Sequence, residues 1–240
     1  NLGRSINLDS FEPLVKISRN KNIHKFIYAS SSSVYGIKKE KNVTEDMKLE
    51  PLTDYSKFKG DCEKILKKYK SSNFITTTLR PSTVCGYAPR QRLDVVVNIL
   101  TNHAYHNREI KVFGGEQLRP NIHINDMVES YIALINAPTD KINGEIFNVG
   151  FKNQTVNELA DDVKKVIGAD VNIVKSISDD NRSYHVSSAK INSILGFKTK
   201  FTVKDAVTDL KKAFETNLLP NSFDDKRYYN IKMMQYLKLT

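Results

Sequence analysis

The segment KFIYASSSSVYG, residues 25–36, decides the fold predicted for this chain. It begins with a short β-branched and aromatic run, Phe26 to Ala29, and passes into four serines, Ser30 to Ser33. Such a run, ending in small hydroxyl residues, is typical of a buried parallel strand whose carboxyl end opens onto a site. In open α/β sheets, ligands bind outside the carboxyl ends of the strands. The segment therefore predicts an α/β fold with a ligand site at the serines.

A tyrosine and a lysine follow at a spacing that matters on a helix. Tyr55 and Lys59 are four residues apart, and residues at this spacing share one helix face, with Cβ atoms about 5–6 Å apart. We expect both side chains to face the serines. A lysine cation about 4 Å from a tyrosine contributes roughly 4 kcal/mol at an effective dielectric of ~20. This interaction would lower the tyrosine pKa toward neutrality, making Tyr55 a usable base for proton transfer coupled to hydride transfer.

Further motifs follow in the order in which one protein family has them. They are LRPSTVCG at 79–86, VFGG at 112–115, RPNIHIND at 119–126 and FNVG at 147–150. With segment 25–36 and the Tyr55–Lys59 pair, this series resembles the extended short-chain dehydrogenase/reductase family, in its branch of NAD-dependent nucleotide-sugar epimerases and dehydratases. A lone Tyr-x-x-x-Lys is a weak signal, whereas the ordered series covers nearly all of the chain and is specific.

The resemblance implies a Rossmann-like doubly wound parallel sheet with a smaller C-terminal α/β substrate-binding lobe. Residues 1–150 correspond to the C-terminal part of the NAD-binding domain, with substrate-lobe segments around 86–125, and residues 151–240 mainly to the substrate-binding lobe and a tail. No Gly-x-x-Gly-x-x-Gly turn, which would hold a dinucleotide pyrophosphate, occurs in the sequence. Roughly the first third of the family fold, including its N-terminal strands, is therefore expected to be absent, and we assign function to the parent protein.

A catalytic trio is implied by the resemblance. Tyr55 is the base, Lys59 lowers its pKa, and Ser31, four residues before Tyr35, is the proton relay. The alternative for Tyr55 and Lys59 is an exposed pair on a helix surface. The alternative for Ser31 is a serine that caps local backbone. Arg80 is expected to be structural.

Cofactor and substrate residues are implied in the same way. NAD is the expected cofactor, with NADP left open, and a nucleotide-diphosphate sugar is the expected substrate. The predicted cofactor-binding residues are Ala29, Ser30, Tyr55, Lys59 and Pro81. The predicted substrate-binding residues are Ser32, Thr83, Arg92, Phe113, Arg119 and Tyr184. The guanidinium of Arg119 suits bidentate phosphate binding, and its alternative is a surface salt bridge.

Two of the serines bear on the type of reaction. Dehydratases of the family usually place Asp-Glu directly after the catalytic residue, where this chain has Ser32 and Ser33. We therefore favour an epimerase, which oxidises the sugar transiently to a keto sugar and returns the hydride to the other face. The alternatives are a reductase, dehydrogenase or dehydratase of a nucleotide-linked sugar, and a non-catalytic nucleotide-binding fragment.

The composition limits the classes of partner. The formal net charge is +10, but the lysines are dispersed without a dense basic run, so we expect an anionic substrate and no nucleic acid. No apolar run approaches the ~20 residues of a membrane span, and no membrane partner is predicted.

The two cysteines, Cys62 and Cys85, fit a reducing compartment, so we expect a cytoplasmic protein. The histidines lack metal-ligand spacing, and no metal site is predicted. A homodimer is expected from the resemblance.

Overall fold

The fold is given by a computed structural model, which describes every residue except Asn1, Lys41, residues 178–182, Tyr184 and Thr240. The strands are Lys25–Ala29 (β1), Ile75–Pro81 (β2), Thr83–Cys85 (β3), Glu109–Phe113 (β4), Leu118–His123 (β5), Ile146–Val149 (β6), Lys152–Thr155 (β7) and Asn172–Ser176 (β8). The α-helices are Leu2–Arg4 (α1), Phe11–Asn20 (α2), Asp54–Lys67 (α3), Val96–Asn107 (α4), Ile124–Asn136 (α5), Thr139–Ile142 (α6), Val156–Ile167 (α7), Ala189–Leu195 (α8), Val203–Glu215 (α9) and Asn230–Tyr236 (α10). Short 3₁₀ turns cover Ser32–Tyr35 and Lys226–Tyr228, and a π-helical turn covers Ser5–Asp9.

Two compact units make up the chain. Unit 1 consists of Asn1–Ser82, Met127–Gly150 and Ser183–Thr199. Unit 2 consists of Thr83–Asp126, Phe151–Arg182 and Lys200–Thr240. The sequence pattern places the segment 183–199 in the C-terminal lobe, whereas in the structure it belongs to unit 1. The reason is local packing, because Val186 joins the apolar cluster around Tyr35.

Unit 1 is built on a parallel sheet with the strand order β1-β2-β6. Ala29 pairs with Leu79, and Pro81 pairs with Val149, so the carboxyl ends of the three strands lie at one edge. The ladder continues one residue further, where Ser30 N donates to Leu79 O over 2.8 Å. The serines therefore leave the sheet at its carboxyl edge, which is where the sequence pattern predicts a site.

Helix α3 packs on this sheet through an apolar seam. The seam consists of Phe11, Val15, Tyr28, Cys62, Leu66 and Phe74. The helix begins after Thr53, whose side chain accepts from Ser56 N while the Ser56 hydroxyl accepts from Thr53 N. Such a capping box satisfies two backbone donors that a helix terminus leaves unpaired. It places Tyr55 in the first turn of α3.

Unit 2 contains a three-stranded sheet, β3-β5-β7, and a parallel pair, β4-β8. Strand β5 runs parallel to β3 and antiparallel to β7. Helices α4, α7 and α9 share one apolar core, which includes Leu100, Leu159 and Val207. Helix α7 begins with a capping box, in which Thr155 and Glu158 exchange side chain to backbone hydrogen bonds.

The helices are short compared with a bilayer. Helix α3 has 14 residues, and α5 and α9 have 13 each. A membrane-spanning helix needs about 20 predominantly apolar residues. Within the described part of the chain, no helix combines the length and the apolar character needed to cross a membrane.

Candidate active site

Lys59 is bonded to the end of strand β1. Its Nζ donates a 2.7 Å hydrogen bond to Ala29 O. The same nitrogen lies 5.0 Å from the centre of the Tyr28 ring and 5.6 Å from that of Tyr55. Both distances are within the range of cation–π attraction. The structure thus brings Tyr55, Lys59 and the strand end together, as the four-residue spacing predicts.

The surroundings of the two predicted catalytic groups differ. Tyr55 is 49% exposed, so its ring is open to a ligand. Lys59 is half-buried, and this burial lowers the pKa of its ammonium, against a weaker opposing effect of Cys62. Removal from water disfavours the charged form of a lysine. The site therefore holds a cation that is partly stripped of water beside an accessible phenol.

The serines form a tight turn, and we call residues 31–36 the serine turn. Ser31 Oγ accepts from Ser33 N at 3.2 Å and lies 2.8 Å from Ser33 Oγ. The capping alternative considered for Ser31 is therefore present in the structure. Because a hydroxyl has one donor and two acceptor positions, capping leaves Ser31 capable of a further bond to a substrate. Ser32 is buried.

A buried ion pair lies under the serine turn. Glu63 and Arg80 have side chains only 6% and 3% exposed, and Arg80 Nη2 lies 2.6 Å from Glu63 Oε2. Arg80 Nε donates to Glu63 Oε1 at 3.0 Å, and Ser30 Oγ donates to the same oxygen at 2.5 Å. The structural role expected for Arg80 fits this geometry. Glu63 was not anticipated, although a signal existed, since it follows Lys59 by four residues on the same helix face.

The hydrogen-bond network extends from Arg80 to the third strand. Arg80 Nη1 donates to Tyr35 OH at 2.7 Å, and Tyr35 OH donates to Asn148 Oδ1 at 2.7 Å. Asn148 N then donates to a carboxylate oxygen of Glu45 at 2.7 Å. Burial raises the pKa of Tyr35, partly offset by Arg80, and raises the pKa of Glu45, partly offset by the Asn148 N–H. Three strand ends are thus tied together by polar side chains.

The remaining predicted cofactor residues lie at the same sheet edge. Ala29 ends β1 and Pro81 ends β2. The Ser30 side chain is buried against Glu63, which leaves its backbone as the part that can face a cofactor. Beside Pro81, Ser82 Oγ is buried and has no hydrogen-bond partner among the described residues.

The predicted substrate residues beyond Ser32 lie in unit 2, apart from Tyr184, which is outside the described residues. Thr83 is in β3, paired with Asn121. Phe113 ends β4 with an exposed side chain. Arg119 is in β5, where its Nη1 donates to Leu118 O. The Arg92 Nε donates to Asp94 at 2.9 Å, so a substrate anion would have to compete with this carboxylate.

Other titratable groups of unit 2 have structural partners. Buried Asp126 accepts from Lys200 N and Phe201 N, so it binds the backbone of a distant segment. His123 Nε2 lies 3.1 Å from Asp209 Oδ2. Burial raises the pKa of the Cys85 thiol to about 12, which fits a small apolar core residue. Across the described residues, no group of three or more His, Cys, Asp or Glu side chains could hold a metal ion.

A tyrosine and a lysine one helical turn apart, beside the carboxyl end of a parallel strand, define a Rossmann-like protein of the short-chain dehydrogenase/reductase class. Within that class, the chain belongs to the family described as "NAD dependent epimerase/dehydratase family", whose sequence model matches residues 4–150. The family resemblance and the parallel α/β fold are thereby confirmed.

Known relatives include both epimerases and dehydratases. The chain is 29% identical over 208 residues to the uncharacterized UDP-glucose epimerase YtcB of Bacillus subtilis strain 168, covering 85% of this chain and 64% of the relative. It is 26% identical over 222 residues to the human dTDP-D-glucose 4,6-dehydratase, covering 88% and 61%. The chain thus spans less than two thirds of the length of either relative.

A solved structure shows the same fold. The UDP-glucuronic acid 4-epimerase of Bacillus cereus, in complex with UDP-glucuronic acid and NAD, matches with a TM-score of 0.77 and 24% identity. The match covers 88% of this chain and 68% of that one. At this level of identity the likeness concerns the fold.

Proposed function

We propose that the parent protein is an NAD-dependent nucleotide-sugar epimerase. The observation that carries this proposal is the bond from Lys59 Nζ to Ala29 O, which holds the lysine between the strand end and the Tyr55 ring. The family and its epimerase members support the reaction class. The homodimer and the cytoplasmic location stay predictions.

The residues at the sheet edge fit a nicotinamide ribose. An ammonium has three N–H donors, and the bond to Ala29 uses one, so Lys59 can also donate to ribose hydroxyls. Pro81 offers an apolar ring, and the adjacent Ser82 hydroxyl is buried without a partner among the described residues. Ala29 and Ser30 would contribute backbone contacts. When bound here, NAD supplies the hydride acceptor and donor.

Each member of the trio has a distinct task in the proposed mechanism. Tyr55 Oη would receive the proton of the sugar hydroxyl, by way of Ser31, while the carbon bearing that hydroxyl is oxidised to a ketone, and would give the proton back when the ketone is reduced on the other face. The Lys59 cation stabilises the phenolate of Tyr55, because it lies close to that ring in a partly desolvated site. Ser31 Oγ would accept the proton of the sugar hydroxyl while donating its own proton to Tyr55 Oη, and the reverse transfer would return it.

Elimination of water is disfavoured by the groups beside Ser31. Ser32 and Ser33 offer hydroxyls where a dehydratase needs carboxylates. The nearby Glu63 is held in its ion pair with Arg80, which leaves it a poor general acid or base. We therefore place epimerisation ahead of dehydration.

The proposed substrate is a nucleotide-diphosphate sugar. Arg119 and Arg92 would bind the diphosphate, Thr83 would donate one hydrogen bond, and Phe113 and Tyr184 would pack near the nucleotide. The net charge of +10 favours an anionic ligand. The relatives named above act on UDP- or dTDP-sugars, which supports the same class of substrate here.

The Tyr55→Phe variant of the parent protein tests the mechanism, with epimerisation of a UDP-sugar as the assay. General acid–base catalysis contributes about 10²–10⁴-fold, so kcat should fall by that factor. Tyr69→Phe is the matched control, because it removes a hydroxyl that bonds Glu12, and it should keep full activity. An unchanged kcat in Tyr55→Phe would refute the mechanism. Stoichiometric consumption of added NAD(P)H by the wild type would indicate the reductase instead.

A further inference from the structure

The end of strand β1 is bonded to α3 at two consecutive residues. Ala29 O accepts from Lys59 Nζ, and Ser30 Oγ donates to Glu63 Oε1. Lys59 and Glu63 are one helical turn apart, so the two bonds follow the rise of the helix. The residue after these two anchored positions is Ser31.

The other end of the serine turn is held by the same buried pair. Tyr35 closes the 3₁₀ turn that Ser31 caps, and its hydroxyl accepts from Arg80 Nη1. Arg80 uses its Nε and Nη2 on Glu63. Both ends of the turn are therefore bonded to one ion pair, Ser30 through Glu63 and Tyr35 through Arg80.

The ion pair itself has no room to act on a ligand. Both side chains are nearly inaccessible to water, and the two carboxylate oxygens of Glu63 are occupied by Arg80 and Ser30. Arg80 Nη1 also donates to Glu45 O at 3.1 Å. Because the bonds of this pair are made to groups inside the protein, the pair is suited to hold the segments around it in place.

We propose that Ser30, Tyr35, Glu63 and Arg80 form a serine clamp, a set of positioning residues that fixes the Ser31 hydroxyl relative to Tyr55 and Lys59. Ser31 can relay a proton only if its oxygen stays within hydrogen-bond reach of Tyr55 and of the substrate together. A displacement of about 1 Å can lower a rate about 10²-fold. The catalytic consequence rests on the proposed function, whereas the anchoring of the turn does not.

The clamp is tested with two variants that leave its ion pair in place. Ser30→Ala removes the bond at one end of the turn, and Tyr35→Phe removes the bond at the other. Ser130→Ala is the matched control, because Ser130 is buried in the same unit and bonds Met127 O. Ser30→Thr restores the hydroxyl and is the rescue variant.

Hydrogen exchange of the purified chain gives the first readout. The amides of Ser33, Val34 and Gly36 are bonded within the serine turn. A hydrogen bond to a charged group is lost in Ser30→Ala, so these amides should exchange roughly ten to a hundred times faster, while the amides of α3 stay as in the wild type. Unchanged exchange in both Ser30→Ala and Tyr35→Phe would overturn the clamp.

Kinetics of the parent protein give the second readout. We expect Ser30→Ala to lower kcat by about 10²-fold with little change in KM, Ser30→Thr to recover most of the loss, and Ser130→Ala to match the wild type. Faster exchange with an unchanged kcat would show that the clamp does not position the reacting groups. If the wild type shows no epimerisation at all, the proposed function fails, and hydrogen exchange alone decides whether the clamp holds the turn.

Discussion

Two neighbouring turns of helix α3 carry charged or reactive groups in opposite environments. In the first, Tyr55 is about half exposed and Lys59 is bonded to one backbone carbonyl. One turn later, Glu63 is buried, and Arg80 and Ser30 bond both of its oxygens. The difference separates two tasks along one helix: the groups proposed to react are open to a ligand, and the groups that support them are locked inside.

The largest expected effect comes from removing one member of the buried ion pair between Glu63 and Arg80. Arg80→Met leaves Glu63 buried without its partner, and removing one member of a buried ion pair destabilises a protein by about 3–5 kcal/mol. Urea unfolding should therefore show a large loss in the free energy of unfolding of unit 1.

An exposed ion pair on the same helix provides the control for that loss. Lys64 Nζ lies 2.8 Å from Asp61 Oδ1, with side chains 74% and 46% exposed. Asp61→Asn should change the free energy of unfolding by only about 0.3–0.5 kcal/mol. Losses of equal size in the two variants would remove the contrast between the two turns. Adding Glu63→Leu to Arg80→Met should recover much of the stability, because no buried charge is left.

A smaller effect on stability, of opposite sign, is expected at Lys59. Burial lowers the pKa of Lys59 below 10.5, so at neutral pH the folded state holds a disfavoured cation. Lys59→Met removes this cation and should raise the Tm, while the proposed epimerisation should be lost. A lower Tm for Lys59→Met would mean that its bond to Ala29 outweighs the burial.

The sign of the pH dependence sharpens this prediction. Because the unfolded chain holds the Lys59 proton more tightly, wild-type stability gains from a rise in pH through the window between the folded pKa and 10.5. The advantage of Lys59→Met should therefore shrink as the pH approaches 10.5. Thermal melts at pH 7 and near pH 10 provide the measurement.

The smallest effect on stability is expected at Glu45, which is bonded to Arg80 and Asn148. Burial raises its pKa above 4.5, so wild-type stability falls as the pH rises from 4.5 through the folded pKa. Glu45→Gln keeps an acceptor for the Asn148 N–H and removes the charge. It should match the wild type near pH 4 and be more stable than the wild type at pH 7, measured by urea unfolding. A gain at pH 4 alone would contradict this.

The sequence predicts the placement of Tyr55 and Lys59 well and the buried pair of Glu63 and Arg80 poorly. Strands β1 and β6 cover residues 25–29 and 146–149, and the apolar runs in the motifs KFIYASSSSVYG and FNVG fall on them. The spacing of Tyr55 and Lys59 suffices to place them on one face. The spacing of Glu63 from Lys59 indicates a shared helix face, but its partner Arg80 is 17 positions away, and the spacing does not reveal that contact.

Strand β7 and helix α10 of unit 2 carry no clear signal in the sequence. Strand β7 has the sequence KNQT, which lacks the apolar alternation of a typical strand, and it forms through antiparallel pairing with β5. Helix α10 follows a tail of mixed polarity whose local sequence gives no clear periodicity. For β7, pairing with a neighbouring strand outweighs intrinsic preference.

The bond between Tyr35 and Asn148 spans 113 positions in the chain, and this separation orders the assembly of the site during synthesis. Tyr55, Lys59, Glu63 and Arg80 leave the ribosome well before Asn148 does. Contacts between distant positions form late, because the intervening chain must first be ordered. The serine turn therefore reaches its final bonding only once β6 has docked beside β2, so a nascent chain that stops short of residue 148 carries the proposed catalytic trio without its full support.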